Sequence, residues 1–281
     1  MSEPRRGAIR LALPSGPLTM AWSEWGPLAG EPVICVHGLT RTGRDFDTLA
    51  QALAGQGRRV LCPDMPGRGD SDWLPDGSLY AVPTYVAACA QMLAAIGRPF
   101  DWVGTSMGGL IGMGLAATPG TAPRRMVLND VGPFVPAGAL QRIAAYLSLE
   151  VSFPDMAAWT GHVRKAYAPF GPLTDEQWRH LAETSGRVTA QGRIVPHHDP
   201  AIRAPFAAGA AADIALWEMW DALATPMLVL RGETSDILSA DTAARMAEKP
   251  GVRAETIAGV GHAPALMDDA QVAIVSRFLG G

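Results

Sequence analysis

Gly104-Thr105-Ser106-Met107-Gly108 sets a serine between two glycines, each two residues away, and it is the stretch of these 281 residues with the clearest chemical potential. An apolar, strand-forming run from Phe100 leads into it, and Leu110-Ile111-Gly112-Met113 follows with no turn signal, as the start of a buried helix would. A turn tight enough to push a side chain out of the top of a sheet drives its apex toward positive φ, and only glycine neighbours leave room for the adjoining strand and helix. Ser106 is therefore expected to be strained and exposed above a helix N-terminus. With 31 glycines in the chain the motif is weak alone, so its partners must be found elsewhere.

A serine hydroxyl is a poor nucleophile near neutral pH; it needs a base within hydrogen-bond reach and a third group to orient that base. In an open parallel sheet such groups gather beyond the carboxyl ends of the strands. His262 follows the strand expected at 252–257. Two acids compete to orient it: Asp236, just past the strand at 226–232, and Asp130, which ends the strand at 125–130. Of the other histidines, His37 is expected to support the loop that it begins and is a candidate substrate contact. His162, His180, His197 and His198 fall in a helical segment. His197-His198-Asp199 invites a metal reading, but adjacent histidines point apart on most backbones and no further ligand cluster is near, so no metal is expected. Asp64 and Asp70 are expected to hold the shape of the turn-rich loop 64–72.

The elements that must position these groups alternate. An opening hairpin (9–13 and 18–25) precedes a strand at 32–38 that is apolar on both faces, as a strand inside a covered parallel sheet is. A helix (43–55), a strand (59–64), a helix (80–97) and the serine strand and helix follow, then the strand at 125–130. From 134 to 223 the chain reads as helices without buried strands, with Thr174 and Gln177 forming a capping box, and it is too long for a connecting loop. Alternation resumes with strands at 226–232 and 252–257, a helix at 241–248 between them, and a last helix ending near Leu279. The fold class is α/β: a doubly wound, mostly parallel sheet from 1–133 and 224–281, with an inserted α-helical cap at 134–223.

His37-Gly38, the serine motif, Ser235-Asp236 and Gly261-His262, in that order, resemble the α/β-hydrolase superfamily over essentially the whole chain. The resemblance implies Ser106 as nucleophile, His262 as general base and then acid, and Asp236 as the carboxylate that fixes the imidazole. It also implies an oxyanion hole from the backbone N–H groups of Leu39 and Met107. The cap tryptophans Trp159, Trp178, Trp217 and Trp220 are expected to be mostly core between cap and sheet, with Trp159 and Trp178 kept as candidate substrate contacts. The expected activity is hydrolysis of a small carboxylic ester or lactone through an acyl-enzyme, with no cofactor. Two alternatives are weighed against it: carbon–carbon hydrolysis of ring-cleavage products, whose enzymes tend to carry a more glycine-rich loop than Leu39-Thr40-Arg41-Thr42-Gly43 after the first His-Gly, and a non-catalytic ligand-binding protein on the same fold.

Composition bounds the partners. A net charge of −4 without a basic run offers nothing to nucleic acid or an anionic membrane, and no apolar stretch approaches the ~18 residues of a spanning helix. No secretory leader is evident, and Cys35, Cys62 and Cys89 each sit inside an apolar element, so buried free thiols and a cytoplasmic location are expected.

Overall fold

The computed structural model describes residues 3–149, 151–207 and 212–280. Strands β1 (Arg5–Leu13) and β2 (Gly16–Trp25) form the opening hairpin. It begins earlier than its apolar residues imply, because Arg5 and Arg6 pair across the ladder with Glu24 and Ser23, and Arg5 Nη2 donates to Glu24 Oε1 at 2.9 Å. There follow β3 (Pro32–Val36), α1 (Asp47–Gly55), β4 (Arg59–Pro63), α2 (Val82–Ile96), β5 (Asp101–Thr105), α3 (Met107–Ala117) and β6 (Met126–Asn129). The inserted segment carries β7 (Phe134–Val135), α4 (Ala137–Leu147), α5 (Met156–Ala166), α6 (Asp175–Glu183), β8 (Gly186–Val188), β9 (Ile194–Pro196), α7 (Ala204–Ala207), β10 (Ile214–Ala215) and α8 (Trp217–Ala222). The chain ends with β11 (Met227–Gly232), α9 (Ala240–Ala247), β12 (Val252–Ile257) and α10 (Asp269–Gly280).

The eight-stranded sheet has the order β1-β2-β4-β3-β5-β6-β11-β12, parallel from β4 onward. Every residue of β3 is buried, which accounts for its unbroken apolar run. One face packs on α2, α3 and α9 through Met92, Ile111 and Met246; the other packs on α1 and α10 through Leu49, Leu53, Val275 and Leu279. This is the doubly wound arrangement. Among the described residues, no helix is long and apolar enough to cross a membrane, and the three cysteines are buried and free.

Strands β6 and β11 are neighbours in the sheet, so the inserted segment leaves and re-enters at one point. Its two ends are tied by the antiparallel pair β7 and β10, with Val135 opposite Ile214. Beside the expected helices, β8 and β9 form a second short ribbon, and neither of these two strands is wholly buried. Strands of two or three residues are too short for an alternating pattern to show. The capping box is present: Gln177 N donates to Thr174 Oγ1 at 3.2 Å and Thr174 N to Gln177 Oε1 at 2.8 Å.

Sterics account for the glycines around the serine. A Cβ on Gly104 would lie 2.3 Å from the carbonyl oxygen of Gly108, and one on Gly108 would lie 2.0 Å from that of Val36. Both contacts are with backbone, so neither position admits a side chain unless strand and helix separate.

Candidate active site

Ser106 sits between β5 and α3 at φ 52, ψ −115. Its N–H donates to Asn129 O at 3.0 Å, which anchors the turn to the neighbouring strand and leaves Oγ pointing into a cavity. His262 Nε2 lies 2.9 Å from Ser106 Oγ, and His262 Nδ1 lies 2.6 Å from Asp130 Oδ2. Asp130 is fully buried and follows β6 at φ 59. Its carboxylate also accepts the Gly232 N–H at 2.8 Å and the Ser235 hydroxyl at 2.6 Å. A carboxylate can only accept, so the imidazole carries its proton on Nδ1 and presents the Nε2 lone pair to the serine.

The acid that meets His262 is thus Asp130 and not Asp236, contrary to the expectation from chain order. Asp236 is half exposed, and its two oxygens accept hydrogen bonds from Arg142 Nε at 2.5 Å and Nη2 at 2.9 Å. The local cause is Ser235. Its hydroxyl donates to Asp130 while its oxygen accepts the N–H groups of Ile237 and Leu238, and the turn so formed sends the next side chain outward to the cap.

Buried polar groups tie these parts together. Asn129 Nδ2 donates to Thr105 Oγ1 at 3.0 Å and to Pro264 O at 2.8 Å, joining the ends of β5 and β6 to the histidine loop. Arg68, fully buried, donates through Nε to Leu39 O at 2.8 Å and places Nη2 3.7 Å from Met107 Sδ. It therefore braces both segments expected to form the oxyanion hole. The 37–39 loop faces the serine closely enough that a Cβ on Gly38 would sit 3.8 Å from Ser106 Cβ. Met107 is the first residue of α3, where a backbone N–H has no intrahelical acceptor. Asp64 holds its loop as expected, accepting the N–H groups of Gly43 at 2.7 Å and Asp70 at 3.0 Å.

A cavity of about 540 Å³ opens over Ser106. Its walls come from Leu39, Thr40, Arg41 and Asp45 of the core, from Arg142, Ile143 and Tyr146 on α4, and from Tyr167, Pro169 and Phe170 after α5. The Tyr167 hydroxyl lies 2.9 Å from Thr40 Oγ1 and 3.3 Å from the Tyr146 hydroxyl, and Arg41 stacks on the Tyr167 ring at 4.7 Å while bonding Asp45 at 2.8 and 2.7 Å.

The expected substrate contacts lie elsewhere. Trp159 and Trp178 are buried between cap and sheet domain, as their core reading expects, in a cluster with Val163, Leu181 and Ile194 of the cap and Met267 of the segment after His262, and Trp159 Nε1 donates to Ala182 O. His37 is fully buried behind the loop: Nε2 accepts the Met65 N–H at 2.9 Å and Nδ1 donates to Gly38 O at 2.7 Å. Burial pushes its pKa down to about 4, so it is neutral. His197 and His198 pack the cap on the 64–72 loop, with His197 O accepting the Gly69 N–H and His198 bridging to Arg68. No cluster of three or more His, Cys, Asp or Glu suited to a metal is found among the described residues.

Residues 33–275 match the model of the alpha/beta hydrolase family. The chain belongs to that family. It is 43% identical to the 3-hydroxybutyrate-oligomer hydrolase of Cupriavidus necator, over 100% of this chain and 99% of the relative. It is 31% identical to an esterase of Mycobacterium tuberculosis, over 77% of this chain and 70% of that one. The crystal structure of an alpha/beta hydrolase from Novosphingobium aromaticivorans superposes with a TM-score of 0.88 at 39% identity, covering 100% of this chain and 99% of that structure. This alpha/beta hydrolase is accordingly an enzyme of ester hydrolysis in the general sense.

Proposed function

We propose that the hydrolase cleaves small carboxylic esters through an acyl-enzyme on Ser106, and that its substrates are short linear esters of hydroxy acids. The observation that carries the first part is the continuous chain of hydrogen bonds from Asp130 through His262 to Ser106 Oγ at the floor of an open cavity. The second part is supported by the full-length similarity to a 3-hydroxybutyrate-oligomer hydrolase and by a cavity wall that carries the hydroxyls of Thr40, Tyr146 and Tyr167 beside the apolar Leu39, Ile143 and Phe170. Lactones share the same ester bond and fall within the same chemistry.

In this reading His262 Nε2 takes the Ser106 proton as Oγ adds to the ester carbonyl, and Asp130 stabilises the imidazolium that results. The backbone N–H groups of Leu39 and Met107 receive the oxyanion; one such donor is worth about 3 kcal/mol of barrier. His262 then gives its proton to the departing alkoxide, and the acyl group stays on Ser106. A water molecule, deprotonated by His262, adds to the acyl-enzyme, and collapse releases the acid and returns the proton to Ser106 Oγ.

A fluorophosphonate probe tests the first part: stoichiometric labelling that is lost in Ser106→Ala is expected, and an inert wild-type protein overturns it. Hydrolysis of 3-hydroxybutyrate dimer and trimer against butyrate esters of simple alcohols tests the second. Higher kcat/KM for the oligomers is expected, and a preference for the simple esters overturns it.

A further inference from the structure

Arg142 projects from α4 of the cap and meets Asp236 of the core across the cavity. The pairing is side-on: Nε and Nη2 donate to the two carboxylate oxygens at 2.5 and 2.9 Å. One edge of the guanidinium is used, and the other edge, Nη1 with the second N–H of Nη2, is left free by these two bonds. Both side chains are about half exposed, 53% and 48%, and both line the cavity that holds Ser106 Oγ. The other ion pair of the wall, Arg41 with Asp45, is built differently. Arg41 is 4% exposed, stacked on Tyr167 and bonded to Asp45 and Leu181 O, so it is walled in. Arg142 is pre-oriented by its partner and half exposed, and the two bonds to Asp236 do not use its second edge.

A planar guanidinium edge with two parallel N–H donors fits one ligand group above others, a carboxylate. We propose that Arg142 binds the free terminal carboxylate of the substrate, so that the hydrolase selects acidic esters over the same esters with that end capped. The inference rests on the reading above for the substrate class: a linear hydroxy-acid ester has a hydroxyl at one end and a carboxylate at the other. Asp236 holds the guanidinium in place and partly offsets its charge, which weakens the attraction for any second anion. Removing the Asp236 charge therefore strengthens carboxylate binding, while removing the Arg142 charge abolishes it.

The test uses the full-length enzyme with two substrates, the linear dimer of 3-hydroxybutyrate as its free acid and as its methyl ester, with cleavage of the internal ester followed by chromatography. The wild type is expected to favour the free acid by tenfold or more in kcat/KM. In Arg142→Met that ratio falls at least tenfold, mainly through KM, and Arg142→Lys restores part of it. A second readout does not depend on oligomer turnover: inhibition of p-nitrophenyl butyrate hydrolysis by free 3-hydroxybutyrate. Its inhibition constant weakens about tenfold in Arg142→Met and tightens severalfold in Asp236→Asn. A wild-type ratio near one, or a proportional fall for both dimers in Arg142→Met, overturns the proposal. If neither dimer is cleaved, the oligomer reading fails, and the inhibition constants alone then decide the role of Arg142.

Discussion

Asp130 accepts the Nδ1 proton of His262 at 2.6 Å from a position wholly closed to solvent, although 132 residues separate the two in the chain. Three donors converge on its carboxylate, so removing its charge leaves a buried site with the wrong hydrogen-bond pattern. Asp130→Asn is expected to lower kcat by on the order of 10⁴, as loss of the orienting acid does in comparable triads. Asp236→Asn is expected to cost less than tenfold on a p-nitrophenyl ester. Steady-state kinetics of the two variants decides the assignment, and the reverse ranking sinks it.

Ser235 donates to the oxygen of Asp130 that His262 also uses. Ser235→Ala leaves the carboxylate with one donor fewer and frees the turn that aims Asp236 outward. A fall of about tenfold in kcat with little change in KM is expected, since a hydrogen bond to a charged group contributes about 1.5 kcal/mol or more. A rise confined to KM would assign Ser235 to substrate binding instead.

Gly108→Ala would place a methyl group 2.0 Å from Val36 O, in the middle of the sheet. Overpacking of this kind costs about 2–3 kcal/mol, so the urea midpoint should drop, with activity lost because Ser106 Oγ moves with the helix. A stable, active variant would mean that the elbow is looser than these distances imply.

His37 makes stability depend on pH. In the unfolded chain it titrates near 6.5, whereas burial lowers its folded value to about 4. Between these two values the unfolded state binds the extra proton, so stability falls as pH drops through 6.5 and levels off below 4. The full effect is about 3 kcal/mol at 1.36 kcal/mol per unit. His198, also pushed down to about 4 by burial, acts in the same direction. Urea denaturation at pH 7, 5.5 and 4.5 should show the decline, and His37→Asn should make it shallower while leaving the part due to His198; a wild-type curve that is level over this range would contradict the argument.

Much of this was legible in the sequence because long elements carry strong patterns. The unbroken apolar run of β3, the glycines beside Ser106 and the Thr174–Gln177 box each dictate one local structure. Ser106 and His262 follow from turns that end strands. The acid does not, because Asp130 and Asp236 both follow strands and differ only in backbone direction. A positive φ at Asp130, the turn made by Ser235 and an arginine from the cap decide between them, and none of these has a local signature. The cavity wall was illegible for a related reason. Trp159 and Trp178 have the size of either a core or a binding surface and serve the core between cap and sheet domain, whereas Tyr146 and Tyr167 reach the cavity because α4 and the end of α5 lean over the serine.

The pairing of Val135 with Ile214 brings the two ends of the inserted segment side by side. Ser106, Asp130 and His262 all lie outside that closure, while Arg142, Tyr146 and Tyr167 lie within it. On the proposed reading, the residues that would break the ester bond stand wholly outside the inserted segment, while the cavity wall above them is shared between that segment and the core. Grafting a different segment between β7 and β10 would therefore exchange only the outer half of that wall, Arg142, Tyr146 and Tyr167 with it, and leave Ser106, Asp130 and His262 on their original scaffold.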